Sequence, residues 1–422
     1  MPIFMVNCDN RHTIRILLMS FLAVVICYLD RVSISVAIVP MAAEFDWNYE
    51  TQGRILSAFF IGYMLLQIVG GRLAERCGGR IVLAAGILFL SLFVLATPLA
   101  AYWGVGVLIL ARIAMGLSQA VALPSIYASF GRNVPLQDRA KALGFTHSGV
   151  AVGTIAALIL TPIVIQRLEW SAVFYLYGAA GLVWIAIWRI SARNDRQAAL
   201  EATPTEQSVT QQRMKYRNSA APWKPLLASR AVWAIIIAHF CGNWSVYTFI
   251  SWLPTYFNDG LGVDFAVIGI AAAIPFVTSF VFLNIGGVLA DRLVASGKPV
   301  LQVRKLAQSI SLGGLALALF LVSFVDTVWI AVALMSLATA LKGFSAGGVA
   351  PNHMDIAPNH SGTLFGISNT IGTLPGVIGI YISGLILEFT GSWTLVFQVA
   401  ATFALIGLVF YVLLARAEPV VE

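Results

Sequence analysis

Long apolar stretches alternate along the chain with short clusters of charge, glycine and proline. They fall at about 14–40, 53–74, 79–102, 104–131, 139–166 and 170–190, and again near 231–257, 264–291, 303–324, 327–350, 361–387 and 392–415. Each is long enough to cross a bilayer as a helix, which takes about 20 apolar residues. Between the two sets of six lies one long polar segment, from Arg189 to Arg230, that reads as a flexible linker. The pattern predicts an all-α membrane protein with twelve transmembrane helices. Its expected organisation is an N-terminal six-helix bundle over residues 1–190, a cytoplasmic linker over 191–229 and a C-terminal six-helix bundle over 230–422.

Composition narrows the class. Of 422 residues, 59% are hydrophobic and only 11% are charged, where soluble domains carry about 25% charge. That much apolar surface cannot be hidden in one water-soluble core, which excludes a soluble enzyme, a disordered chain and a disulfide scaffold. The net charge of +7 needs no nucleic acid to explain it, because the basic residues gather on one membrane face. The linker holds Arg193, Arg196, Arg213, Lys215 and Arg217; loops on the same side hold Arg72, Arg76 and Arg80, then Arg132, Arg139 and Lys141, then Arg292, Lys298, Arg304 and Lys305. The opposite loops are mostly acidic, as at Glu44, Asp46, Glu50, Asp259, Asp326 and Glu388. Both termini and the linker are therefore expected in the cytoplasm, and the first apolar run reads as a retained helix. The four cysteines form no CxxC pair and no metal-ligand spacing, so no metal, cofactor or disulfide is expected.

An internal repeat supports the six-plus-six division. Gly70-Gly71-Arg72-Leu73-Ala74-Glu75-Arg76 follows the second stretch, and Gly286-Gly287-Val288-Leu289-Ala290-Asp291-Arg292 follows the eighth. Small residues let helices approach closely. The acid–Arg pairs, with Gly71, Glu75, Arg76, Asp291 and Arg292, are read as a cytoplasmic latch. Extended to Gly78 and Arg80, the first copy resembles the loop signature of the major facilitator superfamily. Tyr28-Leu29-Asp30-Arg31, Trp252-Leu253-Pro254-Thr255-Tyr256-Phe257, Asn352-His353-Met354-Asp355-Ile356-Ala357-Pro358 and Gly366-Ile367-Ser368-Asn369-Thr370-Ile371-Gly372-Thr373 resemble its anion:cation symporter branch. That branch includes sialin, vesicular glutamate transporters, organellar phosphate transporters and bacterial galactonate and hexuronate symporters. The resemblance spans the whole chain. It implies the major facilitator fold, with two pseudo-symmetric bundles rocking about a central site.

Charges at bilayer depth cost at least about 2.5–3.5 kcal/mol each on insertion scales, so each one needs a reason. Asp30, Arg31, Arg112 and Lys342 fall inside apolar stretches. A guanidinium fork matches a carboxylate, so Arg31 is the candidate anion anchor. Asp30 is placed about 100° around the helix and would pair with a base such as Arg112, either as a titrating group or as a structural ion pair. Tyr28 shares a helical face with Arg31. Tyr63 matches a family position that contacts substrate, and Tyr247 holds a comparable cavity-facing place. The resemblance also places Asn369 in the substrate site, with Ser345 a lesser candidate. Lys342 is either a second anion anchor or a side chain that snorkels to the cytoplasmic surface, and snorkelling is the reading preferred here.

Arg112 and Gln119 lie two turns apart on one face. In proton-coupled relatives the position of Gln119 is usually Glu, the protonation site. An amide cannot exchange a proton there, although it imitates a protonated Glu in hydrogen bonding. Proton coupling is then lost, or moved to Asp30 or a histidine such as His147 or His239, or removed by an engineered substitution. Sugar-acid transporters of the family tend to have an amide after the Ser148-Gly149 pair. Val150 stands here, which favours a plainer organic anion.

The expected function is secondary active transport of a small organic anion with a coupling proton or cation, by a monomer. Inorganic phosphate transport and facilitative exchange remain alternatives. Efflux of cationic drugs is disfavoured because Arg31, Arg112 and Lys342 outnumber Asp30. HExxH, Walker and Ser-x-x-Lys motifs are lacking, so no enzyme is expected. The short Met41–Gly53 connection lacks the glycosylated loop usual in animal relatives, and points to a bacterial inner membrane.

Overall fold

The structure is a computed structural model; it describes residues 11–134, 139–200, 223–358 and 360–420. Its twelve long helices follow the apolar stretches. They are α1 (Arg11–Phe45), α2 (Tyr49–Cys77), α3 (Gly79–Trp103), α4 (Val105–Ala120, continued by Ala122–Asn133), α5 (Arg139–Arg167) and α6 (Trp170–Leu200). After a short helix at Trp223–Ala228 come α7 (Arg230–Thr255), α8 (Phe265–Ala295), α9 (Val300–Val322), α10 (Val328–Gly343), α11 (Ser361–Thr390) and α12 (Trp393–Leu414). Beyond α10 the chain tightens into a 3-10 turn at Phe344–Gly347 and resumes as a helix at Val349–Ile356. Among the described residues, eleven spans are apolar enough to cross a membrane by length and hydropathy alone. The remaining long helix, α2, has 29 residues and a more polar sequence. Large apolar side chains such as Ile81, Leu110 and Leu413 are exposed on the outside, as a hydrocarbon solvent requires. The side chains of Arg132, Arg139, Lys141, Arg193 and Arg196, and residues Arg213, Lys215 and Arg217, lie outside what is described.

Glycine sets the tightest helix contacts. Gly78 is at once the end of α2 and the start of α3, and its φ of 92° is a conformation that L side chains rarely adopt. Gly62 and Gly116 bring α2 and α4 backbone to backbone: a Cβ on Gly116 would overlap the Phe59 carbonyl and lie 2.7 Å from the Tyr63 nitrogen. The repeated motif has the same purpose in each half. Gly70 packs on Val121 of α4, with a hypothetical Cβ 2.8 Å from Val121 Cγ1; Gly286 packs on Phe344 beyond α10, with its Cβ 2.8 Å from Phe344 Cα. The second glycines are looser, 3.9 Å from Pro124 at Gly71 and 3.8 Å from Ala346 at Gly287. Arg76, Asp291 and Arg292 are exposed, and the Glu75 side chain lies outside the described part. Asp291 and Arg292 form no ion pair among the described residues.

The C-terminal half has a buried charge pair that the sequence reading assigned otherwise. Arg304, read as a loop cation, lies in the first turns of α9 and is 8% exposed. It grips Asp355 with two hydrogen bonds, 2.8 Å from Nε and 3.3 Å from Nη2. Asn352 adds bonds to the Arg416 carbonyl and from Tyr411. The Asn-His-x-Asp motif thus ties the ends of α9, the helix after α10 and α12 together.

The two bundles touch through α2 against α11 and α5 against α8, an arrangement related by the pseudo-symmetry. A Cβ on Gly53 would lie 3.4 Å from Gly384 Cα, and one on Gly269 would lie 2.5 Å from the Leu158 carbonyl oxygen. Replacing Gly116 with Val is expected to destabilise the protein by about 1–3 kcal/mol or more through overpacking. Gly106→Ala, with nothing within 4 Å of the added carbon, should be near neutral. Unfolding of the detergent-purified variants measures the contrast.

Candidate functional site

The centre of the molecule is built around Arg31. It is 6% exposed, and its guanidinium carbon lies 4.8 Å from the ring centre of Tyr28, 4.7 Å from Phe59, 4.6 Å from Tyr63 and 5.6 Å from Phe60. Tyr28 and Arg31 are one turn apart on α1. Phe59 and Tyr63 are one turn apart on α2, so two helices present a four-ring cage. Such rings attract a cation through their faces but accept no N–H hydrogen bonds of normal strength. Nε and Nη2 of Arg31 accordingly have no hydrogen-bond acceptor. Phe59 and Phe60 were not singled out from the sequence, although the Phe59–Tyr63 spacing was a usable signal.

Phe59 also faces a second cation. The guanidinium carbon of Arg112 lies 5.3 Å from its ring, so one phenyl group contacts two buried arginines. Arg112 is 1% exposed, donates weakly to Met115 sulfur at 3.8 Å, and leaves Nε without an acceptor. Asp30 is also 1% exposed, and neither carboxylate oxygen has a hydrogen-bond or ion-pair partner among the described residues. The direct Asp30–Arg112 pair expected from sequence is therefore not formed in this conformation; the successive side chains of α1 diverge, and Phe59 takes the place beside Arg112. Gln119 is buried in α4 with its Oε1 unbonded. One carboxylate and two guanidiniums are thus buried in the same low-dielectric region of the N-terminal half.

The other sequence candidates are placed unequally. Tyr247 of α7 joins the cage through Phe60, with ring centres 4.6 Å apart, and Phe60 in turn fills the space against Gly376 of α11. Asn369 lies seven residues before Gly376 on α11, about 10 Å along the axis at 1.5 Å per residue. It is half-buried, and its side chain makes no hydrogen bond among the described residues. Ser345 sits in the 3-10 turn after α10, next to the Gly286–Phe344 contact rather than in the cage. His147 bonds the Tyr127 hydroxyl at 2.8 Å. It lies six residues before Gly153, which packs on Tyr28, and so is offset from the cage by about 9 Å. His239 and His353 both approach Ser368 Oγ, at 3.3 and 2.8 Å, joining α7, α11 and the helix beyond α10.

Lys342 does not snorkel. It is in the last turn of α10 but near the middle of the apolar span Val328–Ile356, not at that span's end. A Cβ on Gly242 would lie 3.0 Å from Lys342 Cε and 3.1 Å from Nζ, so the ammonium is laid against α7 in mid-span. It borders a cavity of about 960 Å³ between α5 and the helices α7, α8 and α10.

At the end opposite the linker, hydrogen bonds close the bundles on each other. Glu388 of α11 accepts from Asn48 Nδ2 at 3.3 Å and from the Tyr49 amide at 3.0 Å. Tyr49 donates to Asp259 at 3.0 Å, and Tyr381 to Glu50 at 3.1 Å. A second cavity of about 740 Å³ lies at this closure, bordered by its own residues Asn48, Tyr49, Asp259 and Glu388 and by Trp47 and Gln52.

The model of the Major Facilitator Superfamily matches residues 20–380. The chain belongs to this superfamily of membrane transporters. It is 37% identical over 409 residues to the "Ascorbate transporter, chloroplastic" of Arabidopsis thaliana, covering 96% of this chain and 75% of that protein. It is 36% identical to the "Sodium-dependent phosphate transport protein 1, chloroplastic" of the same plant, covering 96% and 80%. Among solved structures, a bacterial homologue of the human lysosomal transporter Spinster, in an inward-facing and unoccupied conformation, superposes with a TM-score of 0.79 at 15% identity, covering 97% of this chain and 98% of that one. The major facilitator fold and multi-pass membrane insertion follow.

Removing the Glu388 acceptor by Glu388→Ala should loosen the closed end. Hydrogen bonds to charged groups contribute about 1.5–3 kcal/mol, and solvent exposure reduces this to about 1 kcal/mol for the pair. That corresponds to a rise of about fivefold in the open population. Labelling of a cysteine placed at Gln52 by an impermeant maleimide, compared with and without Glu388→Ala, reads the change.

Proposed function

We propose that this protein is a secondary active transporter of small organic anions working by alternating access. The observation that carries the reading is the Arg31 guanidinium: buried, caged by Tyr28, Phe59, Phe60 and Tyr63, and lacking an acceptor for Nε and Nη2. A carboxylate matches that fork and offsets the excess positive charge. The tyrosine hydroxyls of Tyr28, Tyr63 and Tyr247 can donate to the same anion, with Asn369 and Ser345 serving further along its path. Residues 1–190 and 230–422 move as the two rocking units, joined by 191–229, with both termini on the cytoplasmic side of a bacterial inner membrane. The motif residues Gly71, Glu75, Arg76, Asp291 and Arg292 latch the linker side when that side closes. A monomer is sufficient, since each half of the site comes from one chain.

Coupling is by a proton. With Gln119 in place of the usual acid, Asp30 is the carboxylate in this region that can take up a proton, with Arg112 biasing it and His147 a more distant relay. A second reading is inorganic phosphate transport. The two arginines flanking Phe59 support it, as does the relative named for sodium-dependent phosphate transport.

Uptake by proteoliposomes, with pH gradient and membrane potential imposed separately, tests the mechanism. The protein is expected to concentrate an organic acid when the pH gradient is applied, and Asp30→Asn is expected to reduce it to exchange. If Gln119→Glu alone confers concentration, Asp30 is not the coupling group. Arg31→Gln should lower uptake by at least about 100-fold, on the order of 3 kcal/mol for a lost charge-assisted contact. Concentration of phosphate with a sodium gradient, and of no organic acid, would select the second reading.

A further inference from the structure

The charge balance of the interior extends beyond the Arg31 cage. Lys342 is in the last turn of α10, near the middle of the apolar span Val328–Ile356, and among the described residues its ammonium has neither an ion-pair partner nor a hydrogen-bond acceptor. The cavity it borders is lined by no Asp or Glu. With the Arg304–Asp355 pair set aside and before Asp30 takes up a proton, the interior carries three cations, Arg31, Arg112 and Lys342, and one anion, Asp30. A monocarboxylate neutralises one of the two surplus charges and leaves the other uncompensated in a low dielectric, whereas a dianion neutralises both.

The cavity and the cage share a wall, α7. Ser245 and Val246 of α7 line the cavity, and Tyr247, the next residue, packs on Phe60 of the cage. Its walls combine Phe145 of α5 with Phe249, Phe276 and Phe280 from the other bundle, and it offers Ser245, Asn284 and Thr339 as polar groups. At about 960 Å³ it is far larger than inorganic phosphate and suits an organic molecule with an apolar body. Gly242 leaves room for the lysine to lie against α7; any side chain there would push it away.

We propose that Lys342 and this cavity form a second anion subsite, so that the transported species is an organic dianion with an apolar or ring-bearing body, one acidic group on Arg31 and the other on Lys342. The two cations stand on opposite bundles, so this anion also spans the interface that rocks. The inference rests on the organic-anion reading above and adds the charge and shape of the substrate.

The test uses the full chain in proteoliposomes with three probes: phenylsuccinate, phenylacetate and inorganic phosphate. The wild type is expected to favour phenylsuccinate over phenylacetate by at least about tenfold in kcat/KM, as a second buried charge contact implies. Lys342→Gln should erase most of that ratio, Lys342→Arg should largely retain it, and Gly242→Ala should lower it part-way by displacing the ammonium. Equal loss for both acids in Lys342→Gln, or no loss, overturns the subsite, as does a wild type that prefers the monocarboxylate. Because the readout is a ratio, a lowered yield of folded variant does not imitate the effect, and Gly242→Ala reports independently if Lys342→Gln does not fold. A wild type that carries only phosphate refutes the organic-anion reading and the subsite together; one that carries both acids with a ratio indifferent to position 342 refutes the subsite alone.

Discussion

A guanidinium held at the middle of a membrane protein without an anionic partner is the constraint on which the site depends. In water Arg31 would be indifferent to its neighbours. In a low-dielectric interior it must be offset, and the four rings around it do so only in part, because a ring face attracts positive charge without accepting the N–H hydrogen bonds. The cage therefore makes burial tolerable while leaving the fork available. Phe59 extends the effect, since its ring contacts both Arg31 and Arg112 and offsets part of the charge of each.

This arrangement is possible because the helices come unusually close. Gly62 and Gly116 bring α2 against α4, which carries Phe59 and Tyr63 up to Arg112 and Arg31. The same device recurs at Gly70 and Gly286 in the two halves, and between the bundles at Gly53 with Gly384. Without a hydrophobic force between helices in lipid, close packing of small residues is a main source of association. The bundles are held by a few such contacts and by exposed hydrogen bonds around Glu388, and exposed bonds of this kind can be exchanged at modest cost. An interface made this way is suited to opening and closing.

The motif that links the chain to its superfamily has a structural part and a mobile part. Gly70 and Gly286 are packed, while Arg76, Asp291 and Arg292 are exposed, with no ion pair at Asp291 or Arg292 among the described residues. In the second half the buried charge pair is Arg304 with Asp355 instead. It knits the ends of three helices into one unit, so the C-terminal bundle can move without its linker-side ends fraying.

Much of the fold was legible along the chain. Bilayer thickness imposes a length on every apolar run, and the run is a local property, so twelve helices, their approximate ends and the six-plus-six division could be read without knowing any contact. The repeated glycines were legible for the same reason, and so was the presence of charges at bilayer depth. What surrounds those charges was not. That Phe59 and Phe60 complete the cage, that Asp30 stands unpaired, that Arg304 meets Asp355 and that Lys342 lies in mid-span against Gly242 all depend on residues tens to hundreds of positions apart. Their meeting is set by the angles and spacings at which helices pack, and periodicity along one helix carries no information about the face its neighbour presents.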